Sequence, residues 1–327
     1  MVVCVAIGAL SLRWWTAVSI QPVEFVQVQP EESNEPIQPI EAIPNLDPRR
    51  IALGRKLFDD PRLSHDNHIS CATCHVLPKG GADGRARSIG IYGAVGVINP
   101  PTVLNSGLNF RQFWDGRAAT LEAQVDGPIL SKIEMGSSWP EVLAKLRNLP
   151  EYAIGFQRIY SDGVQTEHVK DAIAEFERSL TTPNSRFDRY LRHETNALGS
   201  QEQEGYKLFK SLGCASCHQG MGMGGNMYQK MAVTLPVLAD KPPLTRVDRG
   251  RFNVTGDPRD MNMFKVPSLR NVALTAPYFH DASAATLEDA VRTIGKCQLR
   301  RPLSEQQVEL IVAFLKTLTG ELNGKPL

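Results

Sequence analysis

A repeated Cys-x-x-Cys-His motif constrains this chain more than any other feature of its sequence. Residues 71–75 read CATCH and residues 214–218 read CASCH. In this spacing two thiols add across the vinyl groups of a haem, and the histidine that follows supplies one axial ligand to the iron. The sequence therefore predicts two covalently bound c-type haems. The residues predicted to bind them are Cys71, Cys74, His75, Cys214, Cys217 and His218.

A zinc site or a redox dithiol is the alternative interpretation of these motifs. The cysteine pairs of a zinc ribbon usually lie about 15–20 residues apart. Here well over a hundred residues separate the pairs, and a histidine follows each of them. The remaining cysteines, Cys4 and Cys297, do not make a disulfide framework. Haem attachment is therefore the favoured interpretation.

The N-terminal part of the chain differs in composition from the rest. Residues 1–20 are apolar apart from Arg13, which predicts a signal peptide or signal anchor. Residues 21–47 are rich in proline and glutamate and contain no lysine or arginine, so we expect an extended tether without a core. A net charge of +1 gives no indication of a nucleic-acid partner.

The folded part shows an internal duplication. Helical periodicity at residues 49–58 precedes the first motif, and similar periodicity at 201–209 precedes the second. A last helix is predicted from Ser304 to Leu318, with Ser304 as its N-cap and Gln307 three residues on. The predicted fold class is mainly α, with two cytochrome c-like haem domains and long irregular loops at 76–112 and 219–268. We place the domains at 48–195 and 196–327.

Longer segments carry a family resemblance. They read LGRKLFDDPRLS at 53–64, NPPTVLNSGLNFRQFWDGRAATLEAQ at 99–124, FERSLTTPNSRFDRYL at 176–191 and FKVPSLRNVALTAPYFHD at 264–281. In these segments the chain resembles the bacterial di-haem cytochrome c peroxidases, which include the MauG-like enzymes. The resemblance implies a periplasmic enzyme, a homodimer, that reduces hydrogen peroxide to water with electrons from a small cytochrome c or cupredoxin. With the apolar N-terminus it also allows a membrane anchor.

The resemblance also implies roles for individual residues. The haem on His75 would be the low-potential peroxide site, and the haem on His218 the high-potential site where electrons enter. Glu134 matches the distal carboxylate that moves the peroxide proton, although by residue type alone it would be a surface glutamate. The other implied site residues are Gln124 as a companion amide, Trp114 between the haems, and Asn99, Thr275 and Pro277 as oxygen ligands of a calcium ion. Arg246, Arg249 and Arg270 are candidate partners of the haem propionates.

Two departures from the family pattern decide the function. The family's distal histidine follows Ser-Ile-Gly, whereas here Ile91 follows, so we expect an open iron at the His75 haem. His65 and His68 are the nearby substitutes. The family's methionine ligand of the second haem corresponds to Ile294, and its loss should lower that haem's potential. Candidate replacements are Met221, Met223, Met261, Met263, Lys296 and Cys297.

Three functions remain open from the sequence. The first is peroxidase activity. The second is MauG-like, peroxide-driven oxidation of a tryptophan or tyrosine in a partner protein, which the loss of the methionine favours. The third is a di-haem electron carrier without catalysis, against which Glu134, Gln124 and the absent distal histidine count.

Overall fold

Helices dominate the computed structural model, which describes residues 35–41, 43–231 and 245–327. The predicted signal segment at 1–20 and most of the predicted tether lie outside the described residues. The helices are α1 (Pro48–Asp59), α2 (Cys71–Cys74), α3 (Leu121–Leu130), α4 (Trp139–Arg147), α5 (Pro150–Gln157), α6 (Thr166–Ser179), α7 (Arg186–Leu191), α8 (Ser200–Ser211), α9 (Phe252–Thr255), α10 (Leu287–Cys297) and α11 (Glu305–Lys316). Among the described residues, none of the helices has the length and apolar character needed to span a bilayer.

The predicted duplication appears as two helix pairs that cross at a glycine. Helix α1 packs on α6, and a Cβ atom at Gly54 would lie 1.8 Å from the carbonyl oxygen of Ala172. Helix α8 packs on α11 in the same way, with Gly205 facing the carbonyl oxygen of Leu310 at 2.0 Å. Only glycine allows the backbones to approach this closely. Each haem motif follows the first helix of one pair, as the sequence predicted.

Local sequence signals explain where the first and last helices begin. Asp47 accepts a hydrogen bond from the backbone N–H of Arg49, and Pro48 occupies the first helical position of α1. At α11, Ser304 and Gln307 form the predicted capping box. Helix α11 then buries Phe314 against Phe187 and Phe209, with ring centroids 4.9 and 5.2 Å apart. These aromatic contacts anchor the core around the second motif.

Short strands occur only beside the long loops and at the C-terminus of the described residues. Strand β1 (Tyr228–Lys230) pairs antiparallel with β2 (Met263–Lys265), so that Tyr228 lies opposite Lys265. Strands β3 (Glu321–Leu322) and β4 (Lys325–Pro326) form a hairpin. The predicted fold class, mainly α with two cytochrome c-like domains and irregular loops, is confirmed.

The predicted absence of a core from the proline-rich tether is wrong for residues 36–40. Ile37 and Ile40 are 1% and 0% exposed. Gly220 donates its backbone N–H to the carbonyl oxygen of Pro36 at 2.8 Å. The N–H of Ile40 donates to Asp188 Oδ1 at 3.1 Å. Two isoleucines in a polar, proline-rich stretch are enough to attach it, because the folded chain offers hydrogen-bond partners for its backbone.

Candidate haem and peroxide site

Helix α2 carries the first haem motif and holds its histidine in one orientation. Thr73 accepts a hydrogen bond from the backbone N–H of Ser70 at 3.0 Å, which starts the helix. The Nδ1 atom of His75 contacts the carbonyl oxygen of Gly81 at 3.2 Å. Burial lowers the pKa of His75, which favours the neutral imidazole. With Nδ1 held by a carbonyl, Nε2 remains as the nitrogen that can bind iron.

The second motif repeats this arrangement. The Nδ1 atom of His218 lies 3.0 Å from the carbonyl oxygen of Met223. Burial also lowers the pKa of His218. At both motifs a half-buried pair of thiols precedes an imidazole whose Nδ1 atom is hydrogen-bonded. This donor set fits a c-type haem, because the thiols supply the covalent links and the oriented imidazole supplies the axial nitrogen.

A pocket of about 660 Å³ brings Glu134 and Trp114 together. Its wall includes residues from both halves of the chain. They include Arg87, Trp114, Asp115, Arg117, Glu134, Arg246 and Phe264. Three arginines beside two carboxylates, Asp115 and Glu134, give the pocket a positive balance. Such a lining favours anionic groups, and it supports Arg246 as a partner of a haem propionate.

A tight turn after α3 presents Glu134. The N–H groups of Glu134 and Gly136 both donate to the carbonyl oxygen of Ser131, at 3.1 and 2.8 Å. The side chain is exposed by surface area, yet protein atoms crowd its carboxylate, and this burial raises the pKa of Glu134 against the opposing effects of Ser131 and Arg117. The carboxylate faces a concave pocket rather than open solvent, which accounts for the raised pKa of this side chain.

Glu134 is also close to the first haem motif. Burial is the main cause that raises the pKa of Cys74, and the carboxylates of Asp83 and Glu134 add to it. The structure therefore places the predicted proton-transfer group beside the His75 motif. Gln124 is half-buried in the first turns of α3 and does not belong to the described lining of the pocket. The structure does not bring Gln124 together with Glu134 at that pocket.

Trp114 lies where the two halves of the chain meet. Its Nε1 atom donates to the carbonyl oxygen of Asn99 at 2.9 Å. Its own carbonyl oxygen accepts from the backbone N–H of Lys265 at 2.8 Å. The ring of His280 packs edge-on at 6.4 Å. These contacts fix the indole between segments that follow the first motif and segments that follow the second.

The proposed calcium ligands share this junction. The backbone N–H of Asn99 donates to the carbonyl oxygen of His280 at 2.8 Å, which brings Asn99 next to the segment that contains Thr275 and Pro277. The Nδ2 atom of Asn99 donates to the carbonyl oxygens of Arg85 and Ala86 at 3.1 and 3.3 Å. Its Oδ1 atom is thereby left as an acceptor. Amide and carbonyl oxygens are donors that fit calcium.

The loop that would hold the family's distal histidine is attached to the turn of Glu134. The backbone N–H of Ile91 donates to the carbonyl oxygen of Glu134 at 2.8 Å. The Ile91 side chain is 2% exposed and packs towards Gly136. His65 pairs with Glu141 at 2.9 Å, and the His68 side chain is 81% exposed. None of these contacts places a histidine at the pocket.

At the second haem, Ile294 is half-buried on α10. Met223 is a poor substitute for the missing methionine, because its carbonyl already holds His218 and its side chain belongs to the adjacent core. Met221 is 39% exposed. The structure thus leaves the family's thioether position with an aliphatic side chain.

Arg270 has a different task from the one the sequence predicted. Its guanidinium is fully buried and pairs with Asp188 at 2.7 Å. It also donates to the carbonyl oxygens of Met221 and Gln38, at 2.7 and 2.8 Å. The donors of Arg270 are therefore committed to residues 36–40, to α7 and to the loop after the second motif. A role with a haem propionate is wrong for this residue.

Sequence reasoning also missed a buried pair. His280 is 2% exposed, and its Nε2 atom lies 2.8 Å from Asp248 Oδ1. Its ring packs at a tilt against Phe264, with centroids 4.4 Å apart. The segment that contains His280 already carried the family resemblance, which is the signal that could have drawn attention to it. Asp248 gave no comparable signal, because its partner lies 32 residues away.

At each motif an oriented imidazole follows a pair of thiols, and one pocket brings a carboxylate and a tryptophan together. These features define a di-haem c-type cytochrome with a candidate catalytic pocket. Comparison with known proteins agrees. A family model for di-haem cytochrome c peroxidase matches residues 48–196, and one for cytochrome c matches 202–319. The chain belongs to the di-haem cytochrome c peroxidase family.

Individual relatives support this membership. Cytochrome c551 peroxidase from Nitrosomonas europaea is 48% identical over 88% of this chain and 85% of the relative. Cytochrome c peroxidase Ccp from Escherichia coli is 49% identical over 89% of this chain, which spans only 62% of that relative's length. The crystal structure of a MauG-like protein associated with microbial copper homeostasis superposes with a TM-score of 0.77 at 30% identity, covering 90% of this chain and 95% of the other. The predicted family, enzyme class and covalent haem c are thereby confirmed.

Proposed function

We propose that this protein reduces hydrogen peroxide at the His75 haem, with Glu134 as the group that moves the proton. Two electrons and two protons convert one peroxide into two waters. When bound, the haem on His75 supplies an iron that coordinates peroxide, and the haem on His218 supplies the route by which electrons arrive. The observation that carries the proposal is the position of Glu134, which lies beside the His75 motif and shares its pocket with Trp114.

Glu134 takes up the peroxide proton as an ionised carboxylate. This carboxylate accepts the proton of one peroxide oxygen and delivers it to the other oxygen, so that water leaves instead of hydroxide. Because burial raises the pKa of Glu134, the rate should fall with decreasing pH at a value above the ordinary 4.5 of a glutamate. Gln124 keeps the supporting role that the family resemblance implies, although it lies outside the described lining of the pocket.

The test compares Glu134→Gln with Glu151→Gln, a matched change at a half-exposed glutamate on α5. We expect Glu134→Gln to reduce turnover with peroxide by about 10²- to 10⁴-fold, the usual contribution of general acid–base catalysis. It should also remove the acid limb of the pH profile. Turnover of Glu134→Gln equal to that of Glu151→Gln would contradict the assignment.

The structure supports an open iron at the His75 haem in the oxidised protein. Ile91 has no ligating atom and is buried against the turn of Glu134. We therefore expect turnover without prior reduction. An EPR spectrum of the oxidised protein that contained only low-spin bis-histidine signals would refute this.

Trp114 is proposed as an electron relay, since it contacts segments from both halves. Asn99, Thr275 and Pro277 are proposed as a calcium site that stabilises the same junction. Replacing Trp114 by phenylalanine should slow electron transfer between the haems in a stopped-flow experiment. Removing calcium with a chelator should have a similar effect that added calcium reverses, and the Asn99→Ala variant should not respond to calcium.

The wider setting is also a proposal. We place the domain boundary at 195–196, close to the break between the two family matches. We propose a periplasmic homodimer, exported or anchored through residues 1–20, with a small cytochrome c or cupredoxin as electron donor. Cell fractionation, light scattering of the purified protein and turnover with each reduced donor test these points.

The second candidate function is MauG-like oxidation of a partner protein. Ile294 favours it, because loss of the thioether lowers the potential of the haem at which a donor would deliver electrons. Turnover of peroxide with reduced cytochrome c supports the peroxidase. Absence of such turnover, together with new covalent modification of a partner's tryptophan or tyrosine by mass spectrometry, supports the alternative. A protein in which neither iron binds cyanide would be an electron carrier.

A further inference from the structure

Lys265 is a buried cation at the junction beside Trp114. Its side chain is 7% exposed. Its backbone N–H donates to the carbonyl oxygen of Trp114 at 2.8 Å. Across residues 35–41, 43–231 and 245–327, no carboxylate forms an ion pair with its ammonium group, and burial alone lowers the pKa of Lys265 to about 8. A lysine in such a place is strongly unfavourable unless an anion joins it.

Within its described residues the chain does provide a counter-charge for another deeply buried cation. Arg270 has Asp188 at 2.7 Å, with both side chains at 0% exposure. Lys265 is nearly as buried, yet no carboxylate of the described protein pairs with it as Asp188 pairs with Arg270. The anion that fits Lys265 therefore comes from a bound group.

The position of Lys265 narrows the choice of that group. On β2 the side chains alternate, so Lys265 faces away from Phe264, which lines the pocket and packs against His280. Two residues further on, the backbone carbonyl of Pro267 accepts a hydrogen bond from His218. The short segment 265–267 thus contacts Trp114 at one end and the second haem motif at the other.

We propose that Lys265 binds a propionate carboxylate of one of the two haems at this junction. A haem c carries its propionates on the edge opposite its thioether links, and each is a carboxylate that an ammonium group can pair with. The haem on His75 and the haem on His218 are both sources of this chemistry. The proposal rests on haem attachment at the two motifs and is independent of peroxide turnover.

The experiment measures the midpoint potential of each haem in the holoprotein by spectroelectrochemical titration without peroxide. The variants are Lys265→Met and Lys265→Arg, with Lys230→Met as the control, because Lys230 is an exposed lysine on β1 of the same ladder. Loss of a cation beside a propionate favours the ferric state. Lys265→Met should therefore lower the potential of one haem, and the haem that shifts is the source of the propionate. Lys265→Arg and Lys230→Met should keep both potentials.

A pH series gives a second readout that needs only the charge-conserving variant. In the native protein the potential of the paired haem should fall further at alkaline pH, when Lys265 loses its proton. Lys265→Arg should lack this alkaline step. The proposal is overturned if Lys265→Met has the same potentials as Lys230→Met, or if the alkaline step persists in Lys265→Arg. A shift in a protein without peroxidase turnover would retain this inference and reject the proposed function.

Discussion

Replacing Asp188 by asparagine tests whether the buried Arg270–Asp188 pair holds the fold together. Both side chains are 0% exposed and lie 2.7 Å apart. Asp188 Oδ1 also accepts from the backbone N–H of Ile40 at 3.1 Å, and Oδ2 accepts from that of Ser185 at 3.0 Å. Asparagine keeps the shape but leaves the Arg270 charge without a partner, and its amide group faces the Ser185 donor. Breaking such a buried pair costs about 3–5 kcal/mol.

The assay is urea unfolding of the holoprotein followed by far-ultraviolet circular dichroism. With a slope of about 3 kcal/mol per molar urea, the loss corresponds to a midpoint lower by about 1–1.7 M. Asp257→Asn is the matched control, because Asp257 also lies 2.7 Å from an arginine and caps a short helix, but in an exposed position. Equal midpoints for the two variants would refute the reasoning. Limited proteolysis should also cleave near residues 36–40 more readily in Asp188→Asn, since Ile40 loses its anchor.

Three further predictions follow from single sites. Gly54→Ala should destabilise the protein strongly, because its Cβ would lie 1.8 Å from a carbonyl oxygen, whereas Gly155→Ala, with its nearest neighbour at 3.8 Å, should gain about 1 kcal/mol from helix propensity in the same unfolding assay. Ile294→Met should raise the midpoint potential of the second haem in a redox titration. An unchanged potential would mean that residue 294 does not occupy the position of the axial ligand. Burial raises the pKa of Glu177 to about 8, so the folded state binds more protons than the unfolded state between pH 4.5 and 8. The free energy of unfolding should therefore fall as pH rises through that window. Glu177→Gln should flatten this decline, and an unaltered decline would contradict the raised pKa of Glu177.

Local signals in the sequence were enough to predict the helices that frame each haem motif. Ser304 and Gln307 specify the start of α11 within a few residues, and its apolar spacing specifies the face that packs. The same holds for α1, where Asp47 and Pro48 act on their immediate neighbours. These features depend on residues close in the chain, so no knowledge of the tertiary contacts is needed.

Long-range pairing was beyond such signals. Arg270 looked like a propionate partner by residue type, yet its counter-charge is 82 residues away and its other acceptors are backbone carbonyls. Residues 36–40 read as unstructured because their attachment depends on surfaces formed by α7 and the second motif. Gln124 matched the family pattern, but only the course of α3 shows that it stays outside the described pocket lining.

By itself, the sequence determined that the chain carries two covalent haems, because the spacing of thiols and imidazole is a local chemical requirement. It also determined the family and the departures at Ile91 and Ile294. The tertiary structure decided which side chains face one another: Glu134 beside the first motif, Trp114 at the junction of the halves, and Lys265 buried next to it without an anion. Burial and charge balance arise from distant segments meeting in space, and they are therefore properties of the fold.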